Sequence, residues 1–249
     1  MKWLLYPIRQ IWKAYYAFTF VVFFLFLYPA FFVLLKKERW YPVVFVLKRA
    51  VALFSVFASG IILSSKKEEA LHKEQPYVFC CNHTSYLDIV LTYCLFNNYF
   101  VFMAKKELLH VPLFGNFFKD MDIAVDRKSK VGSHKALIRA GRDIDKGHSI
   151  VMFPEGTIAP DAPKMRKFKN GPFKLAIDKQ IPIVPIAFLT NYKILPAKNN
   201  YYKYGGPGIA KVIIHKPVPT AGMGENDLIP LREKIRSIIG NTIEEYENR

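Results

Sequence analysis

Residues 77–96 read YVFCCNHTSYLDIVLTYCLF, a stretch in which polar residues separate a short apolar run from a longer one. Its first five residues are aromatic or apolar, as in a buried strand, and its last eleven show the apolar spacing of a helix. Ser85 is a candidate N-cap for that helix, so Asp88 is expected in the first turn with its side chain tilted toward the helix start. His83 lies just before the cap and is therefore predicted to lie within reach of the Asp88 carboxylate.

A histidine held by a carboxylate can act as a general base. The carboxylate keeps the imidazole in the tautomer whose other nitrogen accepts a proton, and it stabilises the imidazolium that then forms. Two other interpretations stay open at this point. Ser85 and Asp88 also match a helix capping box, which would leave His83 incidental. The tripeptide Asn82-His83-Thr84 also fits an N-glycosylation acceptor, which matters only on a lumenal face.

No side-chain nucleophile accompanies the predicted base. The sequence contains no G-x-S-x-G elbow, and Cys80 and Cys81 belong to the run that is predicted to be strand core. The base is therefore expected to activate a hydroxyl of the substrate. This predicts direct attack of an alcohol on an activated acyl group, without a covalent enzyme intermediate.

The chain beyond this segment alternates short β-rich runs with helical patterns, which is typical of an α/β sheet covered by helices. We predict a mixed central sheet within a catalytic domain of residues 64–249. The predicted strands are 77–81, 99–104, 122–125, 149–153, 183–188 and 211–215, and the predicted helices are 86–96, 133–146, 172–179 and 225–247.

Residues 1–63 are predicted to form a helical hairpin that anchors the protein to a membrane. Residues 17–35 are uncharged, and crossing the hydrocarbon takes about 20 apolar residues. Basic residues flank this run on both sides: Lys2, Arg9 and Lys13 before it, and Lys36, Lys37 and Arg39 after it.

The second apolar run, residues 40–63, contains Lys48 and Arg49 near its middle. Each cation at the bilayer centre would cost about 2.5–3.5 kcal/mol. Because Pro29 can also kink the first run, we expect both helices to lie in one leaflet with these charges at the headgroups. The alternative is a single spanning helix followed by a surface helix.

The charge balance favours anionic partners. The chain has 36 Lys and Arg against 20 Asp and Glu, a formal net charge of +16, which attracts anionic lipid, phosphate groups, acidic proteins or nucleic acid. Nucleic acid is not expected as a partner, because no zinc-ligand set, basic-zipper heptad or RNA-binding aromatic motif occurs. The three cysteines, Cys80, Cys81 and Cys94, crowd one apolar stretch, which predicts reduced thiols and a cytoplasmic catalytic domain.

Several segments resemble, in chain order, the conserved motifs of the glycerolipid acyltransferases, the family of 1-acylglycerol-3-phosphate and glycerol-3-phosphate acyltransferases. The resemblance covers residues 76–217. Residues 83–88 resemble the H-x-x-x-x-D motif, and residues 104–108 with Pro112, Phe114 and Gly115 look like the segment that follows the second strand. Residues 122–127, 153–157 and 183–186 are similar to the second, third and fourth motifs.

This resemblance implies a membrane-bound acyltransferase that transfers a fatty acyl group to the sn-2 hydroxyl of lysophosphatidic acid and gives phosphatidic acid. The donor would be a thioester of acyl carrier protein or coenzyme A. His83 would be the base and Asp88 its orienter, and Arg127 matches the arginine with which the family holds the acceptor's phosphate. The other predicted substrate-binding residues are Lys105, Glu155, Gly156 and Thr157. No resident cofactor or metal is expected, since base catalysis and positioning suffice for a thioester with a stable leaving thiolate.

The chain departs from the family pattern at Ile158, where members often carry an arginine. This weakens the expectation of a phosphate contact at that position. Lys105, or the cationic run Lys164, Arg166, Lys167 and Lys169, would compensate, although such a run is also typical of a solvated or membrane-facing loop. Three rival functions stay open: an acyltransferase for glycerol-3-phosphate or another lysophospholipid, a thioesterase, and a non-catalytic basic membrane-binding protein.

Overall fold

Seven strands in one mixed sheet form the centre of the part of the chain that the computed structural model describes, residues 5–197 and 200–248. Lys2, one of the predicted flanking cations, lies outside the described residues. The strands are β1 (Ile61–Lys67), β2 (Val78–Cys81), β3 (Phe100–Lys105), β4 (Ile123–Val125), β5 (Ser149–Met152), β6 (Ile183–Phe188) and β7 (Gly208–Ile214). The helices are α1 (Leu5–Leu34), α2 (Tyr41–Ala58), α3 (Leu87–Leu95), α4 (Asn116–Asp120), α5 (Lys130–Asp145), α6 (Gly171–Lys179), α7 (Asn191–Ile194) and α8 (Leu228–Glu247).

The strand order is β1-β7-β6-β2-β5-β3-β4. Strands β2 to β6 all run in the same direction, whereas β7 pairs antiparallel with β6 and parallel with β1. The predicted mixed sheet is therefore confirmed. Because five parallel strands end at one edge of this sheet, the residues that follow β2 to β6 gather there, which is where α/β proteins commonly bind their ligands.

All six predicted strands are present, with small shifts at their ends, and β1 is the strand that the sequence analysis missed. The predicted division after residue 63 falls inside β1, whose residues 64–67 are polar and exposed. β1 lies at the edge of the sheet, and Ile61 is its buried residue. An edge strand of this kind lacks the regular alternation of apolar and polar residues by which strands are recognised.

Helices cover both faces of the sheet. On one face, Phe79 and Cys81 of β2 pack with α1, α2, α3 and α4. On the other, Val78 and Cys80 pack with α5, α6 and α8. The alternation along β2 shows why its sequence is apolar throughout, since a strand covered on both sides has no solvent-facing residues.

The predicted N-terminal helical hairpin is confirmed, and α1 continues through Pro29. By length and composition, α1 and the helical stretch Glu38–Ala58 could each cross a membrane. One side of α1 packs on the rest of the chain, through buried Tyr16 and Phe31. Its other side is a stripe of exposed apolar residues, which we call the α1 stripe: Ile8, Ile11, Phe18, Leu25, Phe26 and Phe32.

Lys48, one of the two cations in the second apolar run, has a buried partner that the sequence does not predict. Its ammonium group contacts the Asp122 carboxylate at 2.5 Å, and the two side chains are only 10% and 4% exposed. The ammonium group also lies 4.6 Å from the centre of the Phe117 ring. The buried carboxylate next to β4 therefore balances the positive charge of this lysine inside an apolar helix.

Candidate active site

The sheet edge at which β2 to β6 end carries most of the predicted functional residues. Asn82 and His83 follow β2, Arg127 follows β4, and Glu155 and Gly156 follow β5. These residues lie far apart in the sequence, and the parallel topology brings them together.

His83 and Asp88 are in direct contact, as the sequence predicted. Nδ1 of His83 lies 3.0 Å from Oδ2 of Asp88, and the imidazole ring stacks on the Phe153 ring at a centroid distance of 4.1 Å. An ionised carboxylate only accepts hydrogen bonds, so Nδ1 carries the proton and Nε2 is left as the acceptor. The His83 side chain is 11% exposed, which keeps the base shielded without closing it off from a ligand.

Asp88 also forms the carboxylate half of a capping box at the start of α3, so the two interpretations of this segment are compatible. Its fully buried carboxylate accepts hydrogen bonds from the backbone amides of Thr84 and Ser85 at 2.6 and 2.9 Å. The predicted N-cap is shifted, since α3 begins at Leu87 and the Ser85 hydroxyl accepts from the Leu87 amide. One carboxylate therefore holds both the helix terminus and the imidazole.

The glycosylation interpretation does not fit the folded chain, because Asn82 is completely buried. Its side-chain amide donates to the Phe188 carbonyl at 3.0 Å and accepts from the Phe188 amide at 2.7 Å. These two bonds continue the pairing of β2 with β6 beyond the end of the strand. Asn82 therefore stiffens the backbone from which His83 projects.

Glu155 holds the backbone of His83 in place. One of its oxygens accepts from the His83 amide and the other from the Arg166 amide, both at 2.8 Å. Burial raises the pKa of this carboxyl to about 7, although the two amide hydrogen bonds oppose the shift. The His83 carbonyl in turn accepts from the Ala159 amide at 2.9 Å. The loop after β5 thus fixes both backbone groups of His83.

Arg127, Gly156 and Lys169 form a cationic corner beside Glu155. The Arg127 guanidinium donates to the Gly156 carbonyl. Gly156 has a φ of +73°, and a Cβ atom there would lie 3.0 Å from the Lys169 Cε and Nζ atoms. Both the left-handed backbone and the close lysine therefore favour glycine at this position.

Ile158 is buried, with 7% of its surface exposed, and it presents no charge to this corner. Of the predicted cationic run, Lys169 reaches Gly156, whereas Arg166 contacts Glu155 through its backbone amide. Lys105, at the end of β3, is exposed, and Thr157 is half-buried next to Gly156. Among the described residues, no hydrogen bond joins Lys105 to His83, Arg127 or Gly156.

Asn191 is a site residue that the sequence analysis missed. It is completely buried, and its side-chain amide donates to Oδ1 of Asp88 at 2.7 Å. It follows the predicted strand 183–188 by three positions and lies at the same edge as the other site residues. Its position shortly after a predicted buried strand, like the positions of Arg127 and Glu155, is the sequence signal that indicates it.

Comparison with known proteins gives three kinds of similarity. A family model described as Acyltransferase matches residues 62–189. The chain is 30% identical over 186 residues to an uncharacterised acyltransferase of Schizosaccharomyces pombe, which covers 74% of this chain and 66% of that one. It is 32% identical over 149 residues to the chloroplastic 1-acyl-sn-glycerol-3-phosphate acyltransferase BAT2 of Brassica napus, with 58% and 41% covered. A 1-acyl-sn-glycerol-3-phosphate acyltransferase of Saccharomyces cerevisiae is 30% identical over 189 residues, with 75% and 61% covered.

The aligned region spans less than two thirds of the length of each of these relatives. Among solved structures, the 1-acyl-sn-glycerophosphate (LPA) acyltransferase PlsC from Thermotoga maritima matches with a TM-score of 0.76 at 21% identity. The match covers 100% of this chain and 99% of that one, the N-terminal hairpin included. At this identity the likeness shows a common fold.

Proposed function

Because the chain belongs to the Acyltransferase family, we propose that it transfers a fatty acyl group from an acyl thioester to the sn-2 hydroxyl of lysophosphatidic acid and gives phosphatidic acid. In this proposal the chain is a 1-acyl-sn-glycerol-3-phosphate O-acyltransferase. Three relatives with that printed name, or a close form of it, support the choice of acceptor. The geometry at the end of β2 supports the type of reaction.

One observation carries the proposal: a histidine oriented by a carboxylate without a protein nucleophile beside it. Among the described residues, the His83 side chain is hydrogen-bonded to Asp88 and to no serine, threonine or cysteine. Burial raises the pKa of the nearby Cys80 and Cys81 thiols, so neither supplies a thiolate. The base is therefore suited to activate a hydroxyl that the substrate brings.

The proposed step is a direct acyl transfer. Nε2 of His83 takes the proton of the acceptor hydroxyl while its oxygen attacks the thioester carbonyl carbon. The new ester C–O bond forms, the C–S bond breaks, and the imidazolium returns the proton to the leaving thiolate. Asp88 stabilises the imidazolium between these two proton transfers.

The cationic corner is the proposed site of the acceptor's phosphate. Arg127 and Lys169 bring two positive charges together next to Gly156, and a guanidinium can bind phosphate through two parallel hydrogen bonds. Thr157 and Lys105 are proposed as additional contacts to the substrates. For Glu155 the two backbone hydrogen bonds support a positioning role, since both carboxylate oxygens already have partners.

The proposed location is the cytoplasmic face of a membrane, with the hairpin in one leaflet. A single helix that spans the bilayer meets lipid on every side. In contrast, one side of α1 contacts the rest of the chain along most of its length. Near its start, Arg9 donates to the Lys203 carbonyl, and near its end, Phe31 packs on Phe117. The α1 stripe is left to face lipid. This arrangement keeps the lipid acceptor close to the base. The positive charge suits acyl carrier protein and coenzyme A equally as carriers of the donor.

A panel of acceptors and donors tests the proposed function. The purified full-length protein is supplied with lysophosphatidic acid, glycerol-3-phosphate or a neutral or zwitterionic lysolipid, each with acyl-coenzyme A or acyl carrier protein thioesters. We expect acyl transfer to be fastest with lysophosphatidic acid as the acceptor, with phosphatidic acid as the product. Release of free fatty acid without an acceptor would indicate a thioesterase, and faster acylation of glycerol-3-phosphate would replace the proposed acceptor.

Replacing Arg127 with alanine tests the phosphate site. We expect the KM for lysophosphatidic acid to rise on the order of 10- to 100-fold, because a charge-assisted hydrogen bond to the phosphate is lost. Acylation of monoacylglycerol, which lacks the phosphate, should hardly change. Lys128→Ala is the matched control, since it removes an exposed charge from the next position. An equal loss with both acceptors would show that Arg127 acts only through its bond to Gly156.

A further inference from the structure

We propose that Asn191 is a positioning residue that fixes the plane of the Asp88 carboxylate and, through it, the imidazole of His83. The inference rests on the acyl transfer proposed above. Asn191 lies beyond the matched residues 62–189 and beyond the motif at residues 183–186. Its role is therefore indicated by its contacts alone.

The two oxygens of Asp88 have unequal sets of partners. Oδ2 accepts from Nδ1 of His83 and from the backbone amides of Thr84 and Ser85. Oδ1 accepts from the Asn191 amide at 2.7 Å and from the Thr84 hydroxyl at the longer distance of 3.3 Å. Donors on one oxygen leave a carboxylate able to turn about its Cβ–Cγ bond, whereas a strong donor on each oxygen fixes its plane. Asn191 supplies that second donor.

Asn191 lies on a turn that hydrogen bonds hold on two sides. It is the first residue of α7, and the Ser85 hydroxyl donates to the carbonyl of Leu195 at the end of that turn. On the far side, the Tyr192 hydroxyl lies 3.0 and 3.1 Å from the two carboxylate oxygens of Glu247 in α8. The turn is therefore fixed between α3 and the C-terminal helix, which gives the Asn191 amide a defined position.

The Asn191→Asp substitution distinguishes a positioning role of Asn191 from a purely structural one. It has the shape of asparagine, and its carboxyl oxygen would lie at hydrogen-bonding distance from Oδ1 of Asp88. Two carboxyl groups at this distance share a proton. While that proton is present, Asp88 keeps a donor, as in the wild type. Once it is lost at higher pH, a second negative charge replaces the donor.

The test measures kcat and KM of Asn191→Ala and Asn191→Asp from acidic to alkaline pH. We expect Asn191→Ala to lower kcat on the order of 10- to 100-fold at unchanged KM, since a hydrogen bond to a buried charge is lost. Asn191→Asp should approach wild-type kcat at acidic pH and fall increasingly below the wild-type kcat as the pH rises and the shared proton is lost. Tyr192→Phe is the matched control, because it loosens the same turn without a contact to Asp88 and should keep the wild-type pH profile.

The contact can also be tested without activity. A carboxyl pair with a raised pKa stabilises the fold below that pKa and loses this contribution as the pH rises through it. The melting temperature of Asn191→Asp, relative to the wild type, should therefore fall with increasing pH, and an additional Asp88→Asn substitution should make this fall smaller, because only desolvation then raises the pKa at position 191.

Two results would overturn the proposal: wild-type kcat and pH profile in a folded Asn191→Ala variant, or an Asn191→Asp profile of wild-type shape. If Asn191→Ala does not fold, the pH profile of the isosteric Asn191→Asp variant tests the proposal on its own. A wild-type protein that acylates no acceptor would refute the proposed function instead, and the melting temperatures would still test the contact.

Discussion

Replacing His83 with alanine should lower the rate of acyl transfer by about 10²- to 10⁴-fold, the usual contribution of a general base. The fold and the membrane association should persist, because Asp88 keeps its bonds to the Thr84 and Ser85 amides and to Asn191. The helix cap is thus intact in this variant, and a loss of activity is due to the missing imidazole. Initial rates with lysophosphatidic acid, together with a thermal melt, measure both parts of the prediction.

His134→Ala is the control for this experiment, since His134 is exposed on α5. It should transfer acyl groups like the wild type. Asp88→Asn is less informative, because it disturbs the helix cap and the imidazole together. Appreciable turnover by His83→Ala would remove the histidine from the mechanism and would leave the capping box as the better account of this segment.

Replacing Lys48 with alanine should destabilise the protein by about 3–5 kcal/mol, the usual effect of removing one partner of a buried ion pair. Asp122 would keep its hydrogen bond from the Phe102 amide at 3.1 Å, but its charge would stay buried without a cation. The double variant Lys48→Met/Asp122→Asn should recover much of the loss, since no unpaired charge remains and the asparagine oxygen can still accept from Phe102. Unfolding by denaturant in detergent micelles measures these differences.

Lys106→Ala provides the comparison, because it breaks a pair of similar length in an exposed setting. Lys106 contacts Asp126 at 2.6 Å, and its side chain is 48% exposed. Surface pairs contribute little to stability, so only a small change is expected there. Equal effects of the two alanine substitutions would mean that Lys48 is solvated in the native protein and that the hairpin is not locked to the sheet by this pair.

The sequence was sufficient for the parts of the fold that depend on local patterns. Apolar runs predicted six strands, and the position of His83 and Asp88 between a strand and a helix predicted their contact. The resemblance to a family then indicated which strand ends matter. Arg127 and Gly156, which are 29 residues apart, do meet at that edge.

The remaining features depend on partners that are distant in the sequence. β1 is defined by its pairing with β7, almost 150 residues later, and its polar half carries no signal of its own. Lys48 is buried because Asp122 lies opposite it, 74 residues away. Asn191 meets Asp88 across 103 residues. Lys48 and the polar half of β1 look unfavourable alone, and a single sequence does not reveal which distant residue compensates each of them. For Asn191 the sequence gives the position after a strand but not the partner.

The hairpin shares a hydrophobic core with the sheet. Val44 and Phe45 of α2, with Tyr16 and Phe31 of α1, pack in the same cluster as Phe79 and Phe100. A version truncated before β1 would therefore not be a water-soluble enzyme freed from its anchor. It would carry an uncovered sheet face of large apolar side chains, which favours aggregation. The segment proposed to face lipid is thus also part of the hydrophobic core on one face of the sheet.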